Sequence, residues 1–412
     1  MSDAIVVLNA GSSSLKFCIY GVAGGELTRV AGGQIEGLGT APRFKAKDDQ
    51  GRVLADAPLS GSAKEIGHSQ GFAHLAQWAR EHYAGEYEPV AIGHRMVHGG
   101  LKFTEPTLIT PDVIDELEQL VPLVPLHQPH NLAGVRAVTQ LRPDLPQVAC
   151  FDTAFHRGRP SVSERFGLPD EMFQQGVRRW GFHGLSYESI SSQLRQIAPA
   201  LRQGRVIVAH LGSGASLCAM RGGRSVETTM GFSALDGLPM GTRCGSLDPG
   251  VILFLLQRGM TASQIETLLY KKSGLLGISG VSNDVRDLLA SDNPLAKEAI
   301  GYFVYRIVRD IGSLTAALGG LDGLVFTAGV GENSPLIRQR VCAGLEWLSI
   351  AIDAEANRKG RGCISPPGAS PAVWVIPTDE EGVIAAHTLA VARSSMQIPK
   401  VVAAAGSLAA EG

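Results

Sequence analysis

This chain contains no Cys-x-x-Cys pair. Its six cysteines, at positions 18, 150, 218, 244, 342 and 363, lie far apart, which argues against a zinc site, a redox dithiol and a disulfide framework. A reducing cytoplasm is therefore the expected setting. No apolar run approaches the roughly 18 residues of a membrane span, and the opening Met1-Ser2-Asp3-Ala4 carries no basic targeting region. An excess of charge of one sign is also missing. With 37 basic against 39 acidic residues and no basic block, neither nucleic acid nor an anionic membrane is an expected partner. Charged residues as a whole are scarce, 18% against the usual ~25%.

Glycine is abundant instead: 50 of 412 residues, well above the ~7% average, which implies many tight turns. The length exceeds what one hydrophobic core organises, so two domains of about 150 to 250 residues are expected. A cleft between such domains is a natural ligand site.

Ala4 to Leu8 is an apolar run ending in a Gly/Ser turn, and Leu15 to Tyr20 resumes with strand-forming residues, which predicts a hairpin. Short apolar pieces with Gly and Pro punctuation from Gly21 to Leu54 predict a continuing meander. Thr110-Pro111-Asp112 reads as a capped helix start, and Val148 to Phe151 as a buried strand ending at Asp152. The opening plan then recurs: a strand from Arg205 to His210, a turn from Leu211 to Ser216, and a returning strand from Leu217 to Met220. A third strand, Leu324 to Thr327, meets a third glycine turn at Ala328 to Asn333. Helical segments at Val251 to Arg258, Thr261 to Tyr270 and Leu295 to Leu318 alternate with these strands. The pattern indicates α/β layers in a duplicated domain. Ser365 to Ala372 reads as a Pro-rich loop and the Ala-rich tail after Ile398 as frayed.

Gly and Ser at a strand end let backbone N–H groups approach an anion closely. No Walker loop is present, and Gly329 and Gly331 lack the third glycine of a dinucleotide fingerprint. Each glycine turn alone reads as a plain hairpin before it reads as a phosphate site; three in equivalent places shift the reading toward phosphate. Gly93-His-Arg-Met-Val-His-Gly-Gly100 sets two histidines and an arginine between glycines, either as site residues or as an exposed polar loop. Arg243, in a Gly-rich and non-helical stretch, suits bidentate recognition of phosphate or carboxylate, with a surface salt bridge as the alternative. Asp152 sits just past a strand, a position that serves a metal, a catalytic group or a helix cap. Glu380 and Glu381 follow the strand Val373 to Ile376 and are either a second metal-side carboxylate or the acidic first turn of a helix. His94 and His98 stand four residues apart, but no Glu follows His94 in the zincin position and His183 has Tyr187 four residues on, so zinc is not expected.

Together these segments resemble the acetokinase family, in the superfamily that joins acetate and sugar kinases, heat-shock chaperone ATPases and actin. The resemblance runs from Val7 to about Ile384. It rests on Asn9-Ala-Gly-Ser-Ser-Ser-Leu-Lys16, Gly93 to Gly100, Phe151-Asp-Thr-Ala-Phe-His156, Arg179-Trp-Gly-Phe-His-Gly184, His210-Leu-Gly-Ser-Gly214, Met240-Gly-Thr-Arg-Cys-Gly245, Ser279-Gly-Val-Ser-Asn-Asp284 and Phe326 to Pro335.

The resemblance implies an α/β fold of two duplicated actin-like, ribonuclease H-like domains with an interdomain cleft. The first would be 1–153 plus 383–412, and the second, nucleotide-binding and dimer-forming, 154–382. It implies reversible phosphoryl transfer between ATP and acetate with Mg²⁺, or Mn²⁺ in its place, in a homodimer. By analogy Asn9, Ser12, Ser14 and Lys16 serve the phosphate and metal side. Arg95 and Arg243 flank the transferred group, His183 donates to it, and His127 and His210 lie close by. Asp152 and Glu380 position the metal, and Gly212 and Gly214 form the β-phosphate turn. Asp284, Arg286, Gly329, Gly331 and Asn333 belong to the adenosine pocket, while Val97, Leu126, Phe182 and Ala234 line the methyl pocket.

Several positions depart from the family pattern. Ser213 replaces an Asn, Leu185 and Tyr187 replace a Thr and a His, Ser246 replaces an Asp, Gln128 replaces an Asn, and Ala234 stands where Pro is common. Propionate is accordingly an alternative substrate. A nucleotide-binding protein that signals by domain closure, and a catalytically weakened paralogue, are the alternatives outside acyl phosphate chemistry.

Overall fold

The structure, a computed structural model, describes residues 1–11, 13–59, 66–125 and 127–396. The chain divides into two units, each built on its own sheet. One comprises Met1–Met96, Glu105–Cys150 and the chain from Glu381; the other comprises Val97–Thr104 and Phe151–Glu380. Residues 97–104 and 151–153, expected with the first domain, thus pack with the second.

The first unit opens with β1 (Ser2–Ala10) and β2 (Ser14–Ala23), joined by the glycine turn as an antiparallel hairpin in which Asn9 faces Lys16. The meander continues through β3 (Glu26–Glu36), β4 (Arg43–Asp48) and β5 (Val53–Pro58). Strands β6 (Tyr87–Met96), β7 (Thr107–Leu108) and β8 (Gln147–Phe151) complete a sheet of order β5-β4-β3-β2-β1-β6-β8-β7. β6 runs parallel to β1, with His94 beside Leu8. Alternation puts Leu8, Leu15, Phe17, Ile35 and Phe44 in the core, where Phe17, Phe44 and Trp78 meet with ring centres 5.2 to 5.8 Å apart. Helices His68–Tyr83 and Gln128–Leu141 pack on each other, and the second packs on β1. Thr110 caps the helix Pro111–Glu118, its hydroxyl accepting from the Val113 amide at 3.4 Å.

The second unit repeats this sheet. Its strands are β9 (Arg205–Leu211), β10 (Ala215–Arg221), β11 (Arg224–Thr228), β12 (Gly323–Thr327), β13 (Gly362–Cys363) and β14 (Ala372–Val375), in the order β11-β10-β9-β12-β14-β13. That order matches β3-β2-β1-β6-β8-β7. In both sheets a glycine hairpin is flanked by a parallel strand beside its first member, and a two-residue antiparallel strand lies at the edge. The predicted helices appear as Pro249–Gln257, Ala262–Lys271 and Pro294–Leu318.

Two readings change. The third glycine segment is not a hairpin turn like the other two but the short helix Ala328–Asn333. The Glu332 carboxylate accepts from the Ala328 amide at 2.8 Å, so the chain coils back on itself instead of returning as a strand. The segment from Gly93 is not an exposed loop: it continues β6 to Met96 and is largely buried. A β-carbon on Gly93 would lie 2.2 Å from Thr388 Oγ1, which accounts for glycine there. The tail after Ile398 lies outside the described residues.

Candidate active site

In the first unit the candidate residues gather at the carboxyl end of β1. Gly11 N–H donates to the Ser14 carbonyl at 2.8 Å and closes the turn. The turn is held from outside by His68 Nε2, 2.7 Å from the Gly11 carbonyl, and by Asn131 Nδ2, which donates to the Ala10 carbonyl at 2.8 Å. Asn131 ties the start of the helix Gln128–Leu141, preceded by His127, to this turn. Arg95 is half-buried on β6, one residue past the position where His94 registers with Leu8. Lys16 is exposed on β2 while Asn9 and Ser14 are half-buried. Ser12 and Leu126 lie outside the described residues.

In the second unit His183 adopts a left-handed conformation (φ 58°, ψ 24°) at the start of the helix Gly184–Ile197. Such a conformation in a non-glycine residue is sparsely populated and clusters at functional sites. It is held because Gly184 N–H donates to the Asp152 carbonyl at 2.9 Å; a β-carbon at Gly184 would stand 2.2 Å from that oxygen. Asp152, 1% exposed, thereby sits against the start of this helix. The glycine turn of β9 and β10 lies beside it. A β-carbon at Gly214 would be 3.2 Å from His183 Nε2 and 3.9 Å from Arg243 Nη1, and one at Gly212 would be 3.8 Å from His210 Nε2 and 3.6 Å from Ala328 Cβ. The His183 and His210 rings stack at 4.2 Å. Arg243 Nη1 donates to the Ala234 carbonyl at 3.0 Å. His183, His210, Gly212, Gly214, Ala234 and Arg243 are thus one cluster.

The adenosine-side candidates approach this cluster from two sides. Asp284 caps the helix Val285–Ala290, and the hydrogen bond from Arg286 holds its carboxyl below the usual range. The preceding carbonyl, of Asn283, would be 3.0 Å from a β-carbon at Gly241, so this segment packs on the Arg243 loop. Gly329, Gly331 and Asn333 lie in the helix next to Gly212, where Asn333 Nδ2 donates to the Gly329 carbonyl at 2.9 Å. Val97 and Phe182 are buried. Glu380 is half-buried as the first residue of the helix Glu380–Met396, so the acidic-first-turn reading describes its local position.

Three histidines in the quoted motifs have structural partners. His94 Nε2 lies 2.8 Å from Gln147 Oε1, and burial lowers its pKa to about 4. His98 accepts from the Gly100 amide at 2.8 Å, packs edge-on against Trp180, and is lowered to about 4 by burial. His156, lowered to about 3 by burial, bonds Ser225 Oγ through Nδ1 at 2.8 Å and the Phe182 carbonyl through Nε2 at 2.9 Å. It anchors the segment that leads into His183, a role that its place in the sequence motif did not reveal. Among the described residues no group of three or more His, Cys, Asp or Glu side chains is arranged to hold a metal. No helix among them is long and apolar enough to cross a membrane.

The repeated sheet, with its hairpin, parallel neighbour and edge strand, makes this a duplicated actin-like α/β protein. A family model described as the acetokinase family matches residues 4–386, and the chain belongs to that family. It is similar to the acetate kinase of Rhodopseudomonas palustris (strain ATCC BAA-98 / CGA009), at 52% identity over 94% of this chain and 98% of the relative. The acetate kinase of Rhizobium meliloti is 50% identical over 94% and 98%. Among solved structures, a propionate kinase from Francisella tularensis superposes with a TM-score of 0.87 at 36% identity, covering 94% of this chain and 99% of the other. Porphyromonas gingivalis acetate kinase does so with 0.83 at 39% identity, covering 95% and 100%.

Proposed function

We propose that this chain transfers the γ-phosphoryl group of ATP to acetate, reversibly and by direct in-line displacement, giving acetyl phosphate and ADP. The observation that carries the reading is the meeting of a glycine turn, the His183 Nε2 edge and the Arg243 guanidinium around Gly214. Backbone amides, an imidazole and a guanidinium are the donors a transferring phosphoryl group needs.

A short carboxylic acid titrates near ~4 to 5, so the acceptor is already an anion at neutral pH and no general base is required. The difficulty is bringing it to a charged phosphate. Arg95 and Arg243 neutralise the equatorial oxygens, His183 donates to them, and His127 and His210 complete the surroundings. Gly212 and Gly214 receive the β-phosphate. Asp284, Arg286, Gly329, Gly331 and Asn333 serve the adenosine, and Val97, Leu126, Phe182 and Ala234 the methyl group.

Asn9, Ser12, Ser14 and Lys16 act on the phosphate and metal side, and Asp152 and Glu380 are the carboxylates for Mg²⁺ or Mn²⁺. The donor set fits: Mg²⁺ takes hard oxygen ligands, usually one or two carboxylates with water and substrate phosphates rather than a protein cage. When bound, the ion neutralises phosphate charge.

The decisive measurement is a hydroxylamine trap for acetyl phosphate with ATP, Mg²⁺ and acetate. Acetohydroxamate is expected; ATP binding without it would favour a nucleotide-signalling protein or a weakened paralogue. A second reading, propionate as substrate, is favoured by the small Ala234 in the pocket set, and kcat/KM on acetate, propionate and butyrate ranks the two.

We also propose a homodimer through the second unit. The helix Pro249–Gln257 has no buried residue, and Leu253, Phe254 and Leu256 are 60%, 51% and 46% exposed, an apolar surface of the kind that marks an interface. A monomeric mass in solution would remove this. The cysteines are free thiols, which suits a reducing cytoplasm.

A further inference from the structure

Tyr187 is a residue to which the mechanism gives no work. It lies one turn after His183 on the same helix face, and its amide donates to the His183 carbonyl at 3.1 Å. The side chain is fully buried among Ile190, Leu194, Val206, Val208 and Cys218. A phenylalanine would fill that space equally well, so the hydroxyl needs a separate reason. Burial drives the phenol pKa well above its usual value, so the group keeps its proton.

The hydroxyl lies 2.5 Å from Ser216 Oγ, its hydrogen-bond partner among the described residues. Ser216, fully buried on β10, is in turn 2.8 Å from His183 Nδ1. Proton accounting then gives the chain a direction. A buried phenol donates to its one partner, so Tyr187 donates to Ser216. Ser216 has one proton, and its other side-chain partner is the ring nitrogen, so it donates to His183 Nδ1. His183 is left with its hydrogen on Nε2, the ring atom beside Gly214, which Arg243 Nη1 also approaches.

We propose that Tyr187 and Ser216 are positioning residues for phosphoryl transfer: the chain from Tyr187 through Ser216 to His183 Nδ1 selects the tautomer that presents Nε2–H to the transferred phosphoryl group. This rests on the role given to His183 above. The bland alternative is that the pair only satisfies a buried hydroxyl.

Two measurements separate these. Nitrogen NMR of the ligand-free protein labelled with ¹⁵N-histidine, with His183 assigned by its loss in His183→Gln, reads the tautomer whether or not the chain makes acetyl phosphate. The expected result is a protonated Nε2 and an unprotonated Nδ1, with a mixture in Ser216→Ala. A protonated Nδ1 in the wild type, or an unchanged tautomer in Ser216→Ala, overturns the proposal.

Kinetics then test its use. Tyr187→Phe, which keeps the packing, should lower kcat by about three- to tenfold, as expected for one hydrogen bond, with KM for acetate and ATP nearly unchanged. Adding it to Ser216→Ala should cost nothing more, because the chain is already cut. Additive losses, or full turnover in Tyr187→Phe, also overturn the proposal. The double variant leaves no orphaned hydroxyl, so it guards against a merely misfolded Ser216→Ala.

Discussion

The two glycine hairpins share a backbone plan and differ in what surrounds them. In both, the first strand pairs antiparallel with the second and parallel with a later strand. Around the first turn, His68 and Asn131 hold carbonyl groups, and Asn9, Ser14 and Lys16 are presented from the strands. Around the second, His183, His210 and Arg243 stand over Gly212 and Gly214. The scaffold therefore repeats one glycine turn, and the side chains around each decide what it suits. The first turn is equipped with an amide, hydroxyls and an amine, which suit a metal–phosphate complex. The second is equipped with imidazoles and a guanidinium, which suit phosphate directly.

The sharpest way to break this division is to remove its arginines. Arg243→Ala and Arg95→Ala are each expected to lose most of kcat, since one arginine acting on a transferring phosphoryl group is worth roughly 10³ to 10⁵ in rate. Steady-state turnover checks this, and near-wild-type kcat in either variant would strike that residue from the mechanism.

The glycines come next. Gly214→Ala puts a methyl group 3.2 Å from His183 Nε2, where the phosphoryl contact is proposed. Gly11→Ala meets Ser14 Oγ at 3.0 Å, a hydroxyl that rotates away, and the Ser14 carbonyl oxygen at an ordinary 3.6 Å. A misplacement of about 1 Å in such a site costs roughly 10²-fold, so Gly214→Ala should lose about that much in kcat/KM, and Gly11→Ala clearly less. Equal losses, or the reverse order, would undo the contrast between the turns.

Both hairpins were legible because apolar alternation ending in Gly and Ser has one common outcome. Their equivalence was visible as a repeat. The third glycine segment misled because its shape is set by a side chain: Glu332 reaches back to the Ala328 amide, and Ala328 takes φ 65°. A Thr with a Glu five residues on was the available signal. The Gly93 segment admitted a polar-loop reading because its two histidines and arginine are polar, yet His94 is buried against Gln147, a residue 53 positions away. Partners that distant leave no local trace. For the same reason the Arg243 loop was recognised by its glycines, whereas Ser216 was read only as the end of a glycine turn and Tyr187 only as a departure from the family pattern, since their hydrogen-bonded chain to His183 forms through the fold.

The buried histidines extend the comparison to stability. An unfolded histidine titrates near ~6.5. His94 in the first unit is lowered to about 4, and His98 and His156 in the second to about 4 and about 3. As pH falls below 6.5 the unfolded chain takes up protons that the folded chain refuses. Stability therefore declines with falling pH by about 1.4 kcal/mol per pH unit per histidine, until the folded value is reached. Above 6.5 these groups contribute no slope. Hydrogen exchange between pH 7.5 and 4.5 should show both units weakening below 6.5, because His74 and His130, also lowered by burial, join His94 in the first while His98 and His156 act in the second. A unit that shows no slope would contradict these burials.

The smallest expected effect concerns the acyl group. Ala234 is 8% exposed, and its carbonyl is fixed by Arg243, so the backbone there is held by a residue proposed to act on the phosphate. Ala234→Pro adds ring carbons without removing that carbonyl, and proline has no amide proton to satisfy. If the side chain bounds the acyl pocket, the ring occupies the space a second methylene would use. One methylene is worth ~1 to 3 kcal/mol in discrimination, so the ratio of kcat/KM for propionate to that for acetate should fall about tenfold. The acetate value should change little. A fall for both substrates would instead mean that the substitution moved Arg243 through the shared carbonyl, and an unchanged ratio would place the acyl group elsewhere in the second unit.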